Sequence, residues 1–299
     1  MIYYILIFIA VFNVGIAFSL TKLYQTKTKT GLLTSLLFSL ISAVVSVLFF
    51  LILSGFSLHI NLFSACFAGG LAILASINSI LGIKIFSLGK VSVYTLFMML
   101  GGMLFPFLYG ILFLNEKFTV CKTVGVFILL ISLFMPVFGG KSEKYAKPIL
   151  FFALCFVVFC SNGMVGVLTK AHQINVLAMP VIEFMALQNI IQFILMAIAI
   201  GLTMLFSKEK IKIKSVFMTM ICTKNSLIIV GYALTAGIVN MLMMYCASNI
   251  PASAMYPIVT GGTVLITALF GRLFFKEKLT KPIIAGLAMT IVATVLFMF

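Results

Sequence analysis

Four asparagines lie inside strongly apolar stretches, where a polar side chain is costly unless it has a partner or a water-filled cavity. They are Asn13, Asn78, Asn162 and Asn240. A side-chain amide both donates and accepts hydrogen bonds, so it suits contact with a polar solute. Asparagine also links packed membrane helices to one another. The sequence therefore predicts four candidate solute-binding amides and leaves the helix-linking role open.

Two tyrosines, Tyr94 and Tyr256, lie near the starts of apolar segments. An aromatic ring can stack on a flat or cationic ligand. Tyrosine also anchors helices at the membrane interface, particularly where tryptophan is absent, as it is here. Tyr256 precedes Pro257 and the Gly261-Gly262 pair, which would loosen the helix close to a ligand. We therefore predict both tyrosines as candidate binding residues and leave interfacial anchoring as the alternative.

Glu183 is the one acidic residue that lies away from a basic connection. This position is typical of a carboxylate that couples transport to an ion or attracts a cation, although a glutamate at the membrane edge can also simply be hydrated. Glu116 and Glu277 adjoin lysines, which predicts local pairing and solvation for them.

The chain lacks the motifs of common catalytic and metal sites. It contains no HExxH, GxSxG or Walker-type loop, and its six cysteines form no CxxC. His59 and His172 are far apart in the sequence. We therefore predict no enzymatic activity, no catalytic residue, no metal and no cofactor.

The composition defines the elements that must position these residues. Of 299 residues, 64% are hydrophobic and 8% are charged, and the mean hydropathy is +1.31. Soluble domains are about half apolar and about a quarter charged, so a water-soluble protein is excluded. The net charge of +15 lies in short connections, where basic residues face lipid headgroups rather than nucleic acid. The predicted partners are the lipid bilayer and a small-molecule substrate, with a monomer favoured and a dimer as the alternative.

Hydropathy predicts ten transmembrane helices in an all-α integral membrane protein. The first half, 1–140, and the second half, 149–299, flank a polar hinge at 141–148. The Lys- and Ile-rich segment 208–224 is predicted to lie along the membrane surface. The apolar segments are 2–21, 32–54, 62–83, 91–114, 121–138, 149–168, 177–206, 226–247, 251–275 and 282–299.

The two halves resemble each other. LFLNEKFT at 112–119 matches LFFKEKLT at 273–280, and at the same shift of 161 residues Gly101 matches Gly262. LTKLYQ at 20–25 matches LTKAHQ at 168–173. Because each copy has an odd number of helices, the second copy must enter the membrane from the opposite side. The sequence therefore predicts two inverted five-helix repeats.

Charge gives an independent test of this inversion. Matching connections should differ in basic residues, because one side of a membrane favours them. Of the 20 basic residues, 17 fall on connections 1–2, 3–4, 5–6, 7–8 and 9–10. We therefore predict that these connections are cytoplasmic, in a multi-pass cell-membrane protein with both termini outside.

Inverted repeats suit a secondary transporter, in which two related halves rock about a site near the bilayer midplane. An amide- and tyrosine-lined site with few charges suits an amino acid, a nucleobase or an organic cation. The alternatives are a passive facilitator and a membrane-embedded interaction subunit involved in envelope lipid handling.

Residues 247–286, ASNIPASAMYPIVTGGTVLITALFGRLFFKEKLTKPIIAG, resemble the last two helices of EamA-type transporters of the drug/metabolite transporter superfamily. Residues 86–125 resemble the same block more weakly, and the shared motif is the Glu-Lys-x-Thr ending at Glu116 and Glu277. The resemblance implies a secondary transporter with a central cavity lined mainly by helices one, three, four, six, eight and nine. Small multidrug resistance proteins of that superfamily carry a proton-coupling glutamate in their first helix, where this chain offers only Asn13 and Asn162.

Overall fold

The computed structural model describes almost the whole chain, namely residues 2–28, 31–86, 88, 91–117, 119–138, 147–206, 223–276 and 280–297. Most of the predicted hinge (141–146), most of the predicted surface segment (208–222) and Glu277 lie outside the described residues.

All ten predicted apolar segments are helices, and their bounds agree with the hydropathy pattern to within a few residues. The helices are α1 (Ile2–Lys27), α2 (Leu32–Leu53), α3 (Leu62–Phe86), α4 (Val91–Phe113), α5 (Val120–Phe138), α6 (Pro148–Gln173), α7 (Val181–Phe206), α8 (Thr223–Asn249), α9 (Ala252–Phe275) and α10 (Lys281–Leu296).

Local chemistry explains where several helices begin and end. Pro148 is the first residue of α6 and Pro282 the second residue of α10, positions where a missing N–H costs little. Asn115 and Lys276, just after α4 and α9, have left-handed backbone with φ of 52° and 54°. A left-handed residue is a common way to end a helix and satisfy its last carbonyl groups.

Eight of the helices described, all except α5 and α10, are long and apolar enough to cross a membrane. The apolar helix α10 has 16 residues, which at 1.5 Å per residue gives about 24 Å against a hydrocarbon core of about 30 Å. The chain is therefore a multi-pass membrane protein, and α5 and α10 are its shortest helices.

The most extensively packed helix pairs each join the first half (α1–α5) to the second half (α6–α10). These pairs are α4–α6, α1–α8, α2–α7 and α5–α10. The two halves thus interlock rather than forming separate bundles.

Small residues allow this close packing. A methyl group at Gly101 of α4 would collide with the backbone carbonyl of Phe159 on α6, and one at Gly163 of α6 would lie 2.5 Å from the ring of Phe105 on α4. One at Gly286 of α10 would lie 3.0 Å from the carbonyl oxygen of Ser132 on α5. Gly101 and Gly163 thus allow α4 to pack closely against α6, and Gly286 allows α10 to pack closely against α5.

Contacts between connections place four of them at one end of the bundle. The α4–α5 connection contacts the start of α9, and the α2–α3 connection contacts the start of α7. We refer to this end, which carries the α2–α3, α4–α5, α6–α7 and α8–α9 connections, as the α8–α9 end.

Candidate functional site

A cavity of about 250 Å³ lies between the two halves and extends from the middle of the helices to within about one helical turn of the α8–α9 end. It is lined by residues of α1, α3, α4, α6, α7, α8 and α9. This set contains all six helices that the EamA resemblance implies, together with α7.

The cavity lining is uncharged and rich in thioethers. Among the described residues none of the lining side chains is charged. The methionines are Met98, Met99, Met185, Met243 and Met244. The polar lining residues are Asn162, Thr169, Gln188, Asn240, Tyr256, Thr260 and Thr263. Flexible, polarizable methionines adapt to varied apolar ligands, and a few amides and hydroxyls fix a ligand's orientation.

Two of the predicted residues are held in the cavity wall by hydrogen bonds. Asn162 on α6 donates from Nδ2 to the carbonyl oxygen of Met98 on α4, at 2.8 Å. Tyr256 on α9 donates from its hydroxyl to the carbonyl oxygen of Gly166 on α6, at 2.7 Å. Both side chains therefore link helices and line the cavity at the same time.

Two lining amides retain unused hydrogen-bonding groups. Among the described residues the Asn240 side chain has no hydrogen-bond partner, and the residue is exposed. Gln188 on α7 has a buried Oε1 that likewise lacks a partner. These amides are available to a polar ligand.

Three predicted residues do not line the cavity. Asn13 on α1 donates to the carbonyl oxygen of Ile9 in its own helix, at 2.9 Å. Asn78 on α3 has a buried Oδ1 without a partner among the described residues. Tyr94 is buried in an apolar cluster with Ile85 and Val158.

Glu183 lies at the α8–α9 end rather than in the cavity wall. Its carboxylate accepts a hydrogen bond from the backbone N–H of His59 at 2.7 Å, and His59 Nδ1 lies 3.2 Å away. The glutamate is buried, whereas the imidazole is largely exposed. Glu183 therefore ties the start of α7 to the α2–α3 connection.

Glu116 also makes a long-range contact, and the prediction of local pairing is wrong for it. Its carboxylate accepts hydrogen bonds from the backbone N–H groups of Ala252 at 2.6 Å and Ser253 at 2.8 Å. These are orphan donors at the start of α9, where the helix dipole favours a negative charge.

Lys170 places a positive charge at the end of α8, where the helix dipole favours it, just as Glu116 places a negative charge at the start of α9. Its Nζ donates to the carbonyl oxygens of Ala247 at 2.6 Å and Ile250 at 2.8 Å, and the residue is buried. Lys122 donates to the carbonyl oxygen of Lys117 and to the Ser253 hydroxyl. The turn between α8 and α9 is thus held by one acidic and two basic side chains.

The sequence did not indicate Gln188, the five methionines or the Lys170 contact. Methionines in apolar helices have no periodic signal that separates a cavity wall from a core. The LTK motif aligns Lys170 with Lys22. This alignment gives the position of Lys170 in the repeat but does not identify its hydrogen-bond partners.

Comparison with known proteins finds no matching family model and no similar curated protein. Among solved structures, 28 chains are similar. One of them, described only as "Crystal structure of protein", has a TM-score of 0.72 over 97% of this chain and 95% of its own, with 14% identity. At that identity the likeness shows the fold alone, over practically the full length of both chains.

Proposed function

We propose that this chain is a secondary transporter that moves a small organic solute across the membrane by alternating access. The observation that carries the proposal is the uncharged cavity between the two halves, which reaches the middle of the helices. Binding sites of such transporters lie near the bilayer midplane at the interface between repeats. The proposal agrees with the resemblance to EamA-type transporters.

The proposal includes two inverted repeats, and equivalent contacts support it. Gly15 of α1 contacts Ile266 of α9, while Gly163 of α6 contacts Phe105 of α4. Gly15 and Gly163 match in the LTK-aligned segments, and Phe105 and Ile266 match at the shift of 161 residues. The left-handed residues Asn115 and Lys276 are also 161 residues apart.

The lining favours particular solutes. A phosphorylated solute needs a cationic partner, and none of the described lining residues is charged. A cavity of about 250 Å³ is small beside the 300–1,000 Å³ usual for drug-sized ligands. We therefore propose an amino acid, a nucleobase or a small organic cation as substrate.

A thermal-shift screen of the purified protein tests this assignment. The panel contains amino acids, nucleobases, organic cations, sugar phosphates and lipid headgroups. A ligand that binds only the folded state at 100 times its Kd stabilises it by about 2.7 kcal/mol. Stabilisation by one of the first three classes, lost in Asn240→Ala, supports the proposal. Stabilisation by lipid headgroups alone contradicts it and favours the interaction subunit.

Flux measurements separate an alternating-access transporter from a channel-like facilitator. In proteoliposomes a transporter gives saturable uptake and counterflow, in which unlabelled internal solute drives transient accumulation of labelled external solute. A channel-like facilitator gives uptake without counterflow.

A further inference from the structure

The turn between α8 and α9 lies about one helical turn beyond the cavity. The residues that form or contact the turn belong to α6, α8 and α9, three helices that line the cavity. Ser253 is three residues from the lining residue Tyr256 on α9, and Lys170 follows the lining residue Thr169 on α6. Ala247 is three residues beyond the lining residue Met244 on α8. The turn and its charged contacts therefore lie directly beyond the cavity at the α8–α9 end.

The residues of the turn that Lys170 and Glu116 contact are buried, whereas Ser248, Asn249 and Pro251 are exposed. Ala247, Ala252 and Ser253 are fully buried, and Ile250 and Lys170 are 3% and 5% exposed. The buried Lys170 ammonium needs hydrogen-bond acceptors to offset its loss of hydration, and the Glu116 carboxylate is partly buried. The turn supplies the acceptors of Lys170 and the donors of Glu116.

The two charged residues have different structural relations to the turn. Lys170, α8 and α9 all belong to the second half, so the Lys170 contacts fix the turn within that half. Glu116 belongs to the first half, so its bonds to Ala252 and Ser253 cross between the halves. Any opening that moves the α4–α5 connection away from the start of α9 must break the Glu116 bonds and the bond from Lys122 to Ser253.

We propose that Glu116, Lys170 and the backbone groups of Ala247, Ile250, Ala252 and Ser253 form a latch, the α8–α9 latch, that closes one gate of the cavity. Lys170 holds the turn so that the backbone N–H groups of Ala252 and Ser253 can act as donors. Glu116 closes the gate by accepting hydrogen bonds from these two groups. This inference rests on the proposed transport function, because only a transporter needs this end to open in turn with the other.

Accessibility of a cavity thiol tests the latch. Thr169→Cys places a thiol in the cavity wall next to Lys170. A membrane-impermeant thiol reagent is added to intact cells and to inverted vesicles, and labelling at position 169 is quantified by mass spectrometry, with the native cysteines as internal references. The matched control is Lys117→Gln, which removes an exposed charge beside Glu116 but leaves the latch contacts intact.

Loss of a hydrogen bond to a charged group shifts a two-state equilibrium substantially, so we expect labelling from the α8–α9 side to rise about tenfold in Glu116→Gln and Lys170→Met. The labelling rate at position 169 in Lys117→Gln should stay within about twofold of the rate in the parent protein. Equal rates in all variants that elute as folded protein would overturn the latch. If Glu116→Gln fails to fold, Glu116→Asp keeps the charge on a shorter side chain and should give an intermediate rise; an unchanged rate overturns the proposal.

The labelling needs no substrate, so the two proposals fail separately. Equal labelling rates together with saturable flux contradict the latch and leave the transporter. Faster labelling without flux of any panel compound supports an opening latch and counts against the proposed function.

Discussion

Asn240 and Asn162 differ in what surrounds their amides, and this difference makes separate predictions. Asn240→Ala removes an amide without a partner among the described residues, so ligand affinity should fall while thermal stability is unchanged. Asn162→Ala also removes the bond to Met98, so it should lower both affinity and stability, the latter by about 1 kcal/mol.

Ligand titration and thermal unfolding of the same samples measure both quantities. Asn13→Ala is the matched control, because the Asn13 amide bonds within its own helix and lies outside the cavity lining. An affinity loss in Asn13→Ala equal to that in Asn240→Ala would show that the cavity is not where the ligand binds.

Glu183 bonds to the α2–α3 connection, which predicts a structural effect of its substitution. Glu183→Gln replaces a charged acceptor of the His59 N–H by a neutral one, so we expect a lower unfolding temperature and an unchanged pH dependence of flux. Loss of pH dependence with normal stability would instead establish the coupling role that the sequence suggested. Flux across imposed pH gradients, compared with thermal unfolding, distinguishes the two.

Individual side-chain contacts were harder to predict from the sequence than the helices were. Sequence placed Glu116 beside Lys117, and local pairing was the natural expectation, yet its partners are amides more than 130 residues away. Tyr94 and Tyr256 occupy similar positions in the two halves, but one is buried in an apolar cluster and the other lines the cavity. Such differences depend on which helices meet, and local sequence does not encode that directly.

Helices were predicted well, because a span of apolar residues in lipid must satisfy its own backbone hydrogen bonds. All ten segments are helical, and the proline and repeat signals matched real helix boundaries. How closely these helices pack depends on single glycines.

Gly101 provides a prediction at this scale. Gly101→Ala would force a methyl group into the Phe159 carbonyl, so α4 and α6 must separate, and we expect destabilisation by about 1–3 kcal/mol. Gly69→Ala on α3 is the matched control, because a methyl group there meets no atom within 4 Å. Thermal unfolding in detergent compares the two, and equal stabilities would contradict the close α4–α6 packing.

At the scale of the whole molecule, the charge bias predicts orientation. Val176, which is fully exposed in the α6–α7 connection, and Lys27, which is exposed at the end of α1, lie at opposite ends of the bundle. We expect an impermeant thiol reagent to label Val176→Cys in intact cells and Lys27→Cys only in inverted vesicles. The reverse pattern would place both termini in the cytoplasm.

The proposed mechanism, a site exposed alternately to the two sides of the membrane, draws on the sequence similarity of the two halves, their interlocked packing and the cavity between them. The measurement that tests this most directly is counterflow by the purified protein in proteoliposomes, using a compound that stabilises it in the thermal-shift screen. Our account predicts saturable, transient accumulation of labelled solute that is weakened in Asn240→Ala and unchanged in Asn13→Ala. Binding without any counterflow, in protein shown to be folded in the vesicles, would contradict it.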